Sequence, residues 1–505
     1  MLKGANLNME KILTIDIGTT ACKVIVFDLE GNILAKANRE YPTYTPQIEW
    51  AEQDPLDWWN EAVEGIKEVA QAAGADGIVA IGLSSQRETV VPINRQGNVL
   101  SRAISWMDRR SRLEAEEISR EFGKSTIHKI TGLIPDSTFT ATKLLWLKKH
   151  QPEILQKAHV FLQPKEFIGY MLTGEAATDH SLASRTMMFD INKRQWWEDI
   201  FEFVGVKTSQ FPRLCYADEI IGYLKEDVAK ILGLKSGIPV VSGGGDRPLE
   251  ALGAGIVGSR VMESTGTATN VSMSSNKVPE NLDPRVVCSC HVIRDHYLIE
   301  QGITTSGTIL RWIRDNFYRG EKEKGENVYE LIDNEAESSS PGANGVVLLP
   351  FFMGSRATRW NPDAKGVLFG LTLTHSRADV ARAVLEGISY EIRACIEILE
   401  SMGLRAESIV SMGGGAKSRV WSRIKADILG KKVVVEKVQE AASKGAMLLA
   451  SYAIGARKSL IEEKREVLFE YQPDSKNHEI YNRVYEIYNQ LYSSVSSLYP
   501  KLSQY

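Results

Sequence analysis

The segment Ile238-Pro-Val-Val-Ser-Gly243-Gly-Gly-Asp246-Arg247-Pro248 sets one carboxylate behind an apolar strand and three glycines. Glycines strip away side-chain bulk, so Asp246 can be partly desolvated and still leave room for a hydroxyl, which suits a general base. A glycine-rich turn in which Asp246 caps a helix over residues 249–253 is the plain structural alternative. Asp16 ends another apolar strand, Ile12-Leu-Thr-Ile-Asp16-Ile-Gly18-Thr19-Thr20, just ahead of its turn. Mg²⁺ takes one or two carboxylates plus substrate phosphates, so a single well-placed Asp is enough; capping of the turn is the competing role.

Gly18-Thr19-Thr20 and Gly266-Thr267 are turns in which missing Cβ atoms let backbone approach a phosphate and hydroxyls add hydrogen bonds. Neither follows G-x-x-x-x-G-K-[ST], which excludes a Walker-type loop, and each taken singly reads equally as a structural hairpin. Gly413-Gly-Gly-Ala-Lys-Ser418 follows a strand and opens a helix, so backbone donors and a helix N-terminus converge where a nucleotide or another anion fits. It lacks the G-x-G-x-x-G spacing of a dinucleotide fingerprint. Ser84-Ser-Gln86-Arg87-Glu88-Thr89 crowds polar residues at a strand end, where Arg87 and Glu88 read either as contacts to a polyhydroxylated ligand or as a buried ion pair. Trp106-Met-Asp108-Arg-Arg110 is a sugar platform with a hydrogen-bonding carboxylate, or a core Trp beside a surface charge cluster.

The elements that must position these residues are strands and helices mixed in one α/β system. Two β-branched runs around Gly18-Thr19-Thr20 read as a hairpin, and a third strand from Ile33 makes the chain open as a meander. A helix follows over Pro55–Ala73, with Trp58, Ala62, Ile66 and Val69 at helical intervals, then a buried strand from Ile78 to Leu83. Arg260-Val-Met-Glu263-Ser-Thr265-Gly266-Thr267-Ala-Thr269-Asn270 repeats the strand, Gly-Thr turn, strand order, which predicts an internally duplicated fold with its boundary at residues 253–259. The tail after Gly455 is charged and helix-prone, and its closing stretch from Tyr481 to Tyr499 is expected to dock back on the body.

Size agrees with two units, since 505 residues exceed what one core usually serves. Hydrophobic residues at 43% and charged residues at 25% exclude disordered and fibrous classes, and the net charge of −4 excludes a phosphate-backbone partner, so no nucleic acid is expected. Five scattered cysteines argue against a disulfide framework, and Cys288-Ser-Cys290 with His291 lacks the spacing of a zinc site. Residues 1–10 are polar without a signal-peptide core, and the longest apolar run, residues 346–353, is short and broken by Pro350. No membrane partner and a cytoplasmic location are the resulting expectations.

Taken in order, Asp16-Ile-Gly-Thr-Thr20, Gly243-Gly-Gly-Asp246, Ser264-Thr-Gly-Thr267 and Gly413-Gly-Gly-Ala-Lys-Ser418 resemble the FGGY carbohydrate kinase family over residues 11–455. Gly366-Val-Leu-Phe-Gly370-Leu-Thr-Leu-Thr-His375-Ser-Arg-Ala-Asp379, running into Ala383-Val-Leu-Glu386-Gly387, is similar to that family's C-terminal signature. The resemblance implies two actin-like (ribonuclease H-like) ATPase domains with an interdomain cleft. Residues 1–255 would bind the sugar and carry the base; residues 256–505 would bind the nucleotide and end in a helical tail. It implies ATP and Mg²⁺, with Asp246 as base, Asp16 at the metal, and Gly18, Thr19, Thr20, Gly266 and Thr267 at the phosphates. Gly414, Gly415 and Ser418 would face the adenosine end. Gln86, Arg87, Glu88, Trp106, Asp108, Thr138 and Arg247 would read the acceptor, and a homodimer is admitted.

Gln86-Arg87-Glu88-Thr89 resembles glycerol kinases, whereas Trp106-Met-Asp108-Arg-Arg110 and Gly243-Gly-Gly-Asp246 look more like xylulokinases. Thr138-Phe139-Thr140 stands where glycerol kinases resemble Tyr-Phe-Ser, and Arg247 where they place Gln. The expected acceptor is a ketose such as xylulose, with glycerol or another short polyol as the alternative, while Arg247 points to an acidic acceptor. A rival from another class is an ATPase switch resembling actin or the heat-shock chaperones, which has no use for a base at Asp246. A catalytically dead sugar-binding regulator on the same scaffold is set against the retention of Asp16, Asp246 and both Gly-Thr turns.

Overall fold

Residues Lys11–Ile17 are buried along their whole length and rich in β-branched side chains, the pattern of a central strand. They pair antiparallel with Ala21–Asp28, which pairs in turn with Ile33–Glu40, so the meander expected at the start of the chain is present. The structure is a computed structural model that describes residues 10–461 and 465–502. The polar N-terminal stretch read above lies outside them except for Glu10.

Lys11–Ile17 also pairs parallel with Ile78–Ser85, and that strand pairs parallel with Pro239–Gly245. With the antiparallel Ile220–Tyr223 at one edge, these strands form a six-stranded sheet. Parallel pairing makes the three central strands end on one edge: Asp16 lies opposite Ser84, and Gly245 opposite Ser85. Segments far apart in sequence thus deliver Asp16, Gln86 and Asp246 to the carboxyl ends of neighbouring strands, where open α/β sheets bind ligands. The helix Pro55–Ala73 forms with the expected bounds, its start set by the Asp54 carboxylate accepting from the Leu56 amide and by Pro55 at its first position. Between Ile78–Ser85 and Pro239–Gly245 the chain builds an accessory layer that includes the helices Arg112–Phe122, Lys124–Thr131 and Thr140–His150, with a core of its own around Leu144, Phe161 and Phe201.

The second sheet repeats the plan. Arg260–Thr265 and Thr269–Ser275 form an antiparallel hairpin around Gly266-Thr267, and Ser408–Gly413 lies parallel to the first of them with Gly413 opposite Thr265. Seven strands make up this sheet, ending with Val287–Cys290 at one edge and Val467–Tyr471 at the other. A division at 255/256 separates the two sheets, but the helix Ala441–Ala453 lies across it, against Asp246–Gly253 and the first sheet. The crossing is close because both helices carry glycine at the contact: a Cβ on Gly445 would sit 2.2 Å from the Leu249 carbonyl oxygen, and one on Gly253 would sit 2.0 Å from that of Ala441.

The tail helix Ser475–Val495 docks on the second half through buried Tyr481, Tyr485 and Tyr488. The Tyr481 hydroxyl donates to Glu386 at 2.9 Å and that of Tyr488 to Glu391 at 2.6 Å, which gives the buried carboxylates of the helix Arg377–Ser401 their partners. All five cysteines are buried free thiols. Among the described residues no helix is long and apolar enough to cross a membrane, and no three His, Cys, Asp or Glu side chains cluster as a metal site.

Candidate active site

Asp246 is the first residue of the helix Asp246–Gly253, directly after the strand that ends in Gly243-Gly-Gly. The strand turns there because Gly243 adopts a φ of +63° and passes so close to Leu83 that a Cβ would lie 1.6 Å from its carbonyl oxygen. The Asp246 carboxylate sits deep in a cavity of about 450 Å³ and keeps 39% of its surface, the part open to that cavity. Burial pushes its carboxyl up to about 6; Arg87 and Arg247 pull it down, while Asp16 pushes it further up. At neutral pH the group is therefore ionised but more basic than an ordinary aspartate.

Gln86, Arg87, Glu88, Trp106, Thr138 and Arg247 line the same cavity, together with Thr19. Trp106 donates its indole N–H to the Thr19 hydroxyl at 3.1 Å, so the aromatic wall also holds the first Gly-Thr turn. Gln53 donates to the Thr19 carbonyl at 2.6 Å and accepts from Gln86 at 2.7 Å, which ties that turn to the neighbouring strand end. Glu88 has a φ of +65°, a strained conformation kept by its amide donating to Gln163 at 2.9 Å and its carbonyl accepting from Lys143 at 2.7 Å. Its carboxylate pairs with Arg185. Arg87 spans the cleft: its terminal nitrogens reach Glu300 of the second sheet at 2.8 and 3.2 Å, and its Nε lies 3.5 Å from Asp246 Oδ1. Arg247 donates to Glu250 at 2.7 Å, and Glu250 accepts from Ser264 at 3.1 Å.

Asp108 is placed elsewhere. Its carboxylate is fully buried and accepts from the Ala51 amide at 2.6 Å and from Arg110, which leaves it no face toward the cavity. Thr138 accepts from Arg109 at 2.9 Å. Asn270, Arg356 and Trp360 also line the cavity from the second half of the chain, and Arg185 from the first. No spacing in the sequence marked Arg185, Arg356 or Trp360, which stand apart from the glycine turns that drew attention to the other site residues. Asn270 was the most accessible, lying three residues after Thr267, and its Oδ1 is buried without a partner.

Asp16 is buried at the end of its strand, where burial pushes its carboxyl up, while Ser84 opposite it on the neighbouring strand and Lys23, its cross-strand partner, pull the other way. Its Oδ1 has no hydrogen-bond partner. An anionic oxygen left bare in such a place fits a cation delivered with another ligand. In the first turn the Gly18 amide is committed to Ala21 at 3.0 Å and the Thr20 carbonyl to Tyr41 at 3.1 Å.

A second cavity of about 570 Å³ lies against the hairpin turn around Gly266. Gly266, Thr267, Gly414, Gly415 and Ser418 line it, with Leu310, Tyr329 and Leu385 as apolar wall. Thr265, Thr269 and Ser306 link their hydroxyls at 2.6 and 2.8 Å beneath the turn, and the Thr267 carbonyl accepts from the Thr308 hydroxyl at 2.8 Å. The Ser418 hydroxyl accepts from the Trp421 amide at 2.9 Å and donates to Asp333 at 2.7 Å, so it caps the helix Arg419–Leu429 as well as lining the cavity. The hairpin thus contributes to both cavities: Asn270 lines the polar one that holds Asp246, and Thr265, Gly266 and Thr267 line the one walled by glycine turns and apolar side chains. Such a pair of compartments can bind a hydroxylated molecule and a nucleotide on opposite sides of one transfer point.

Residues 11–253 match the N-terminal domain, and residues 261–454 the C-terminal domain, of the FGGY family of carbohydrate kinases. The chain is 32% identical to a xylulose kinase of Staphylococcus epidermidis, over 94% of this chain and 95% of that one. It is 33% identical to a glycerol kinase of Thermococcus kodakarensis, over 93% and 95%. A gluconate kinase structure from Lactobacillus acidophilus superposes with a TM-score of 0.90 at 25% identity, covering 98% of this chain and all 100% of that one.

Proposed function

The chain belongs to the FGGY family of carbohydrate kinases, and from that premise we propose that it phosphorylates a hydroxyl of a small ketose such as xylulose, using ATP. The observation that carries the site reading is Asp246: a carboxylate of raised basicity in a polar cavity beside the glycine-turned nucleotide compartment. Asp246 takes the proton of the acceptor hydroxyl as its oxygen bonds to the terminal phosphorus, and the bond from that phosphorus to the bridging oxygen breaks to release ADP. Arg87, Glu88 and Trp106 orient the acceptor, and the turns at Thr19 and Gly266-Thr267 hold the phosphates from either side. Asp16 would hold a magnesium ion through its bare Oδ1, where the ion supplies neutralisation of phosphate charge. Gly414, Gly415 and the apolar wall around Leu385 suit the adenosine end.

Glycerol or another short polyol is the second reading, supported by Gln86-Arg87-Glu88-Thr89 and by the similarity to a glycerol kinase. Arg247 already neutralises Glu250, so its charge does not by itself select an acidic acceptor. A cytoplasmic location fits the dependence on ATP, and a homodimer is tested by sedimentation. The deciding experiment is ATP consumption against a panel of ketoses, polyols and sugar acids. Xylulose should give the highest kcat/KM; a maximum at glycerol selects the second reading, and no turnover with any member would sink both.

A further inference from the structure

Glu300 lies in the strand Tyr297–Ile303 of the second sheet, yet its carboxylate works in the first half of the molecule. It receives both terminal nitrogens of Arg87, and the two side chains are only 6% and 10% exposed. A buried ion pair of this kind contributes little net stability, while loss of either partner is costly because the other charge is left without water or counter-ion. Stability alone therefore does not account for building it across a ligand cleft. Burial opposes the ionised form of Glu300, but Arg87 and Arg185 outweigh it and hold the acid at about 2, so the charge is permanent at neutral pH.

The geometry has a directional consequence. With one N–H of each terminal nitrogen held by Glu300, the Arg87 guanidinium is fixed with its Nε 3.5 Å from Asp246 Oδ1 and 4.0 Å from Glu88 Oε1. Arg185, which holds Glu88, comes within 3.9 Å of Glu300 as well. One carboxylate from the second half thus orients the cation beside the base and touches the charge that holds Glu88. The same strand leads through Ser306 into the helix Gly307–Phe317, whose Gly307, Leu310 and Arg311 line the nucleotide cavity.

We propose that Glu300 is a positioning residue: acting through Arg87, it sets the flank of Asp246 from the nucleotide-bearing half, so the acceptor site is complete only when that half is docked. The proposal rests on the phosphotransfer reading for the role of Asp246. A double-mutant cycle on R87A and E300A tests it, read as kcat/KM for the best acceptor of the panel and as the slow hydrolysis of ATP by water without acceptor. If Glu300 acts through Arg87, E300A lowers both activities about 10–100-fold with KM for ATP unchanged, and the double variant loses no more than R87A alone. E300Q keeps the shape and one hydrogen bond but not the charge, so it should melt below wild type and above E300A, and should retain an intermediate activity when assayed well below that Tm. Losses that multiply in the double variant, or an E300A whose only defect is a raised KM for ATP, overturn the proposal. A wild type active on water but on no acceptor sinks the kinase reading while the cycle still decides Glu300; one inactive on both sinks both.

Discussion

The carboxyl of Asp246 titrates near 6 because burial penalises its charge and the guanidinium groups of Arg87 and Arg247 offset only part of that penalty. Its protonated form cannot accept a proton, so kcat/KM should fall about tenfold per pH unit below about 6 and level off above it, measured as a pH–rate profile. Replacement by Asn should lower kcat by at least about 10²–10⁴-fold and abolish that acid limb. The same shift has a stability consequence of opposite sense. Between the ordinary aspartate value and about 6 the folded protein binds the proton more tightly than the unfolded chain, so stability from this group falls as pH rises through that window. D246N should therefore melt higher than wild type at pH 8, with the gain shrinking toward pH 5; a gain equal at both would refute the desolvation account. Asp16 calls for a different measurement. Removing the charge of its bare oxygen in D16N should raise the free Mg²⁺ needed for half-maximal activity by at least about tenfold, while chelation silences the wild type without changing its Tm.

Among the elements, the helix Arg419–Leu429 shows how one side chain can be legible in type and not in task. Gly413-Gly-Gly-Ala-Lys-Ser418 reads from sequence as a ligand-facing turn, and Ser418 does line the cavity proposed for the nucleotide, but its hydroxyl is engaged at both ends by Trp421 and Asp333. Ser418→Ala should thus cost about 1 kcal/mol of stability through the lost cap, seen in denaturant unfolding, and change KM for ATP by no more than about twofold. The Trp106–Arg110 segment makes the complementary case. Its aromatic reaches the cavity, whereas Asp108, two residues on, turns inward to Arg110 and Ala51. Residue type names what a carboxylate can do; which donors reach it first depends on the loop around Trp50 and Ala51, which no local spacing reveals.

For the whole molecule the crossing of Asp246–Gly253 and Ala441–Ala453 is the point where the helix that carries the proposed base meets the second half of the chain. Gly445→Ala would drive a Cβ to 2.2 Å from the Leu249 carbonyl oxygen, so the helices must separate. Overpacking of this kind costs about 1–3 kcal/mol, and because Leu249 lies one turn beyond Asp246, turnover should fall along with Tm. A variant that melts lower but turns over normally would show that the crossing serves stability alone.

Strand-turn periodicity, the order of the glycine turns and the duplication of the Gly-Thr hairpin were properties of the sequence itself, because backbone conformation at those points depends on the residues present locally. That Asp16, Gln86 and Asp246 become neighbours follows from parallel pairing of their strands, which the structure decided. Asn270, Arg185 and Arg356 joined the cavity, and Glu300 reached Arg87, only through tertiary structure. Their roles arise from long-range juxtaposition and from which partners desolvate together, and neither leaves a periodic trace in the chain.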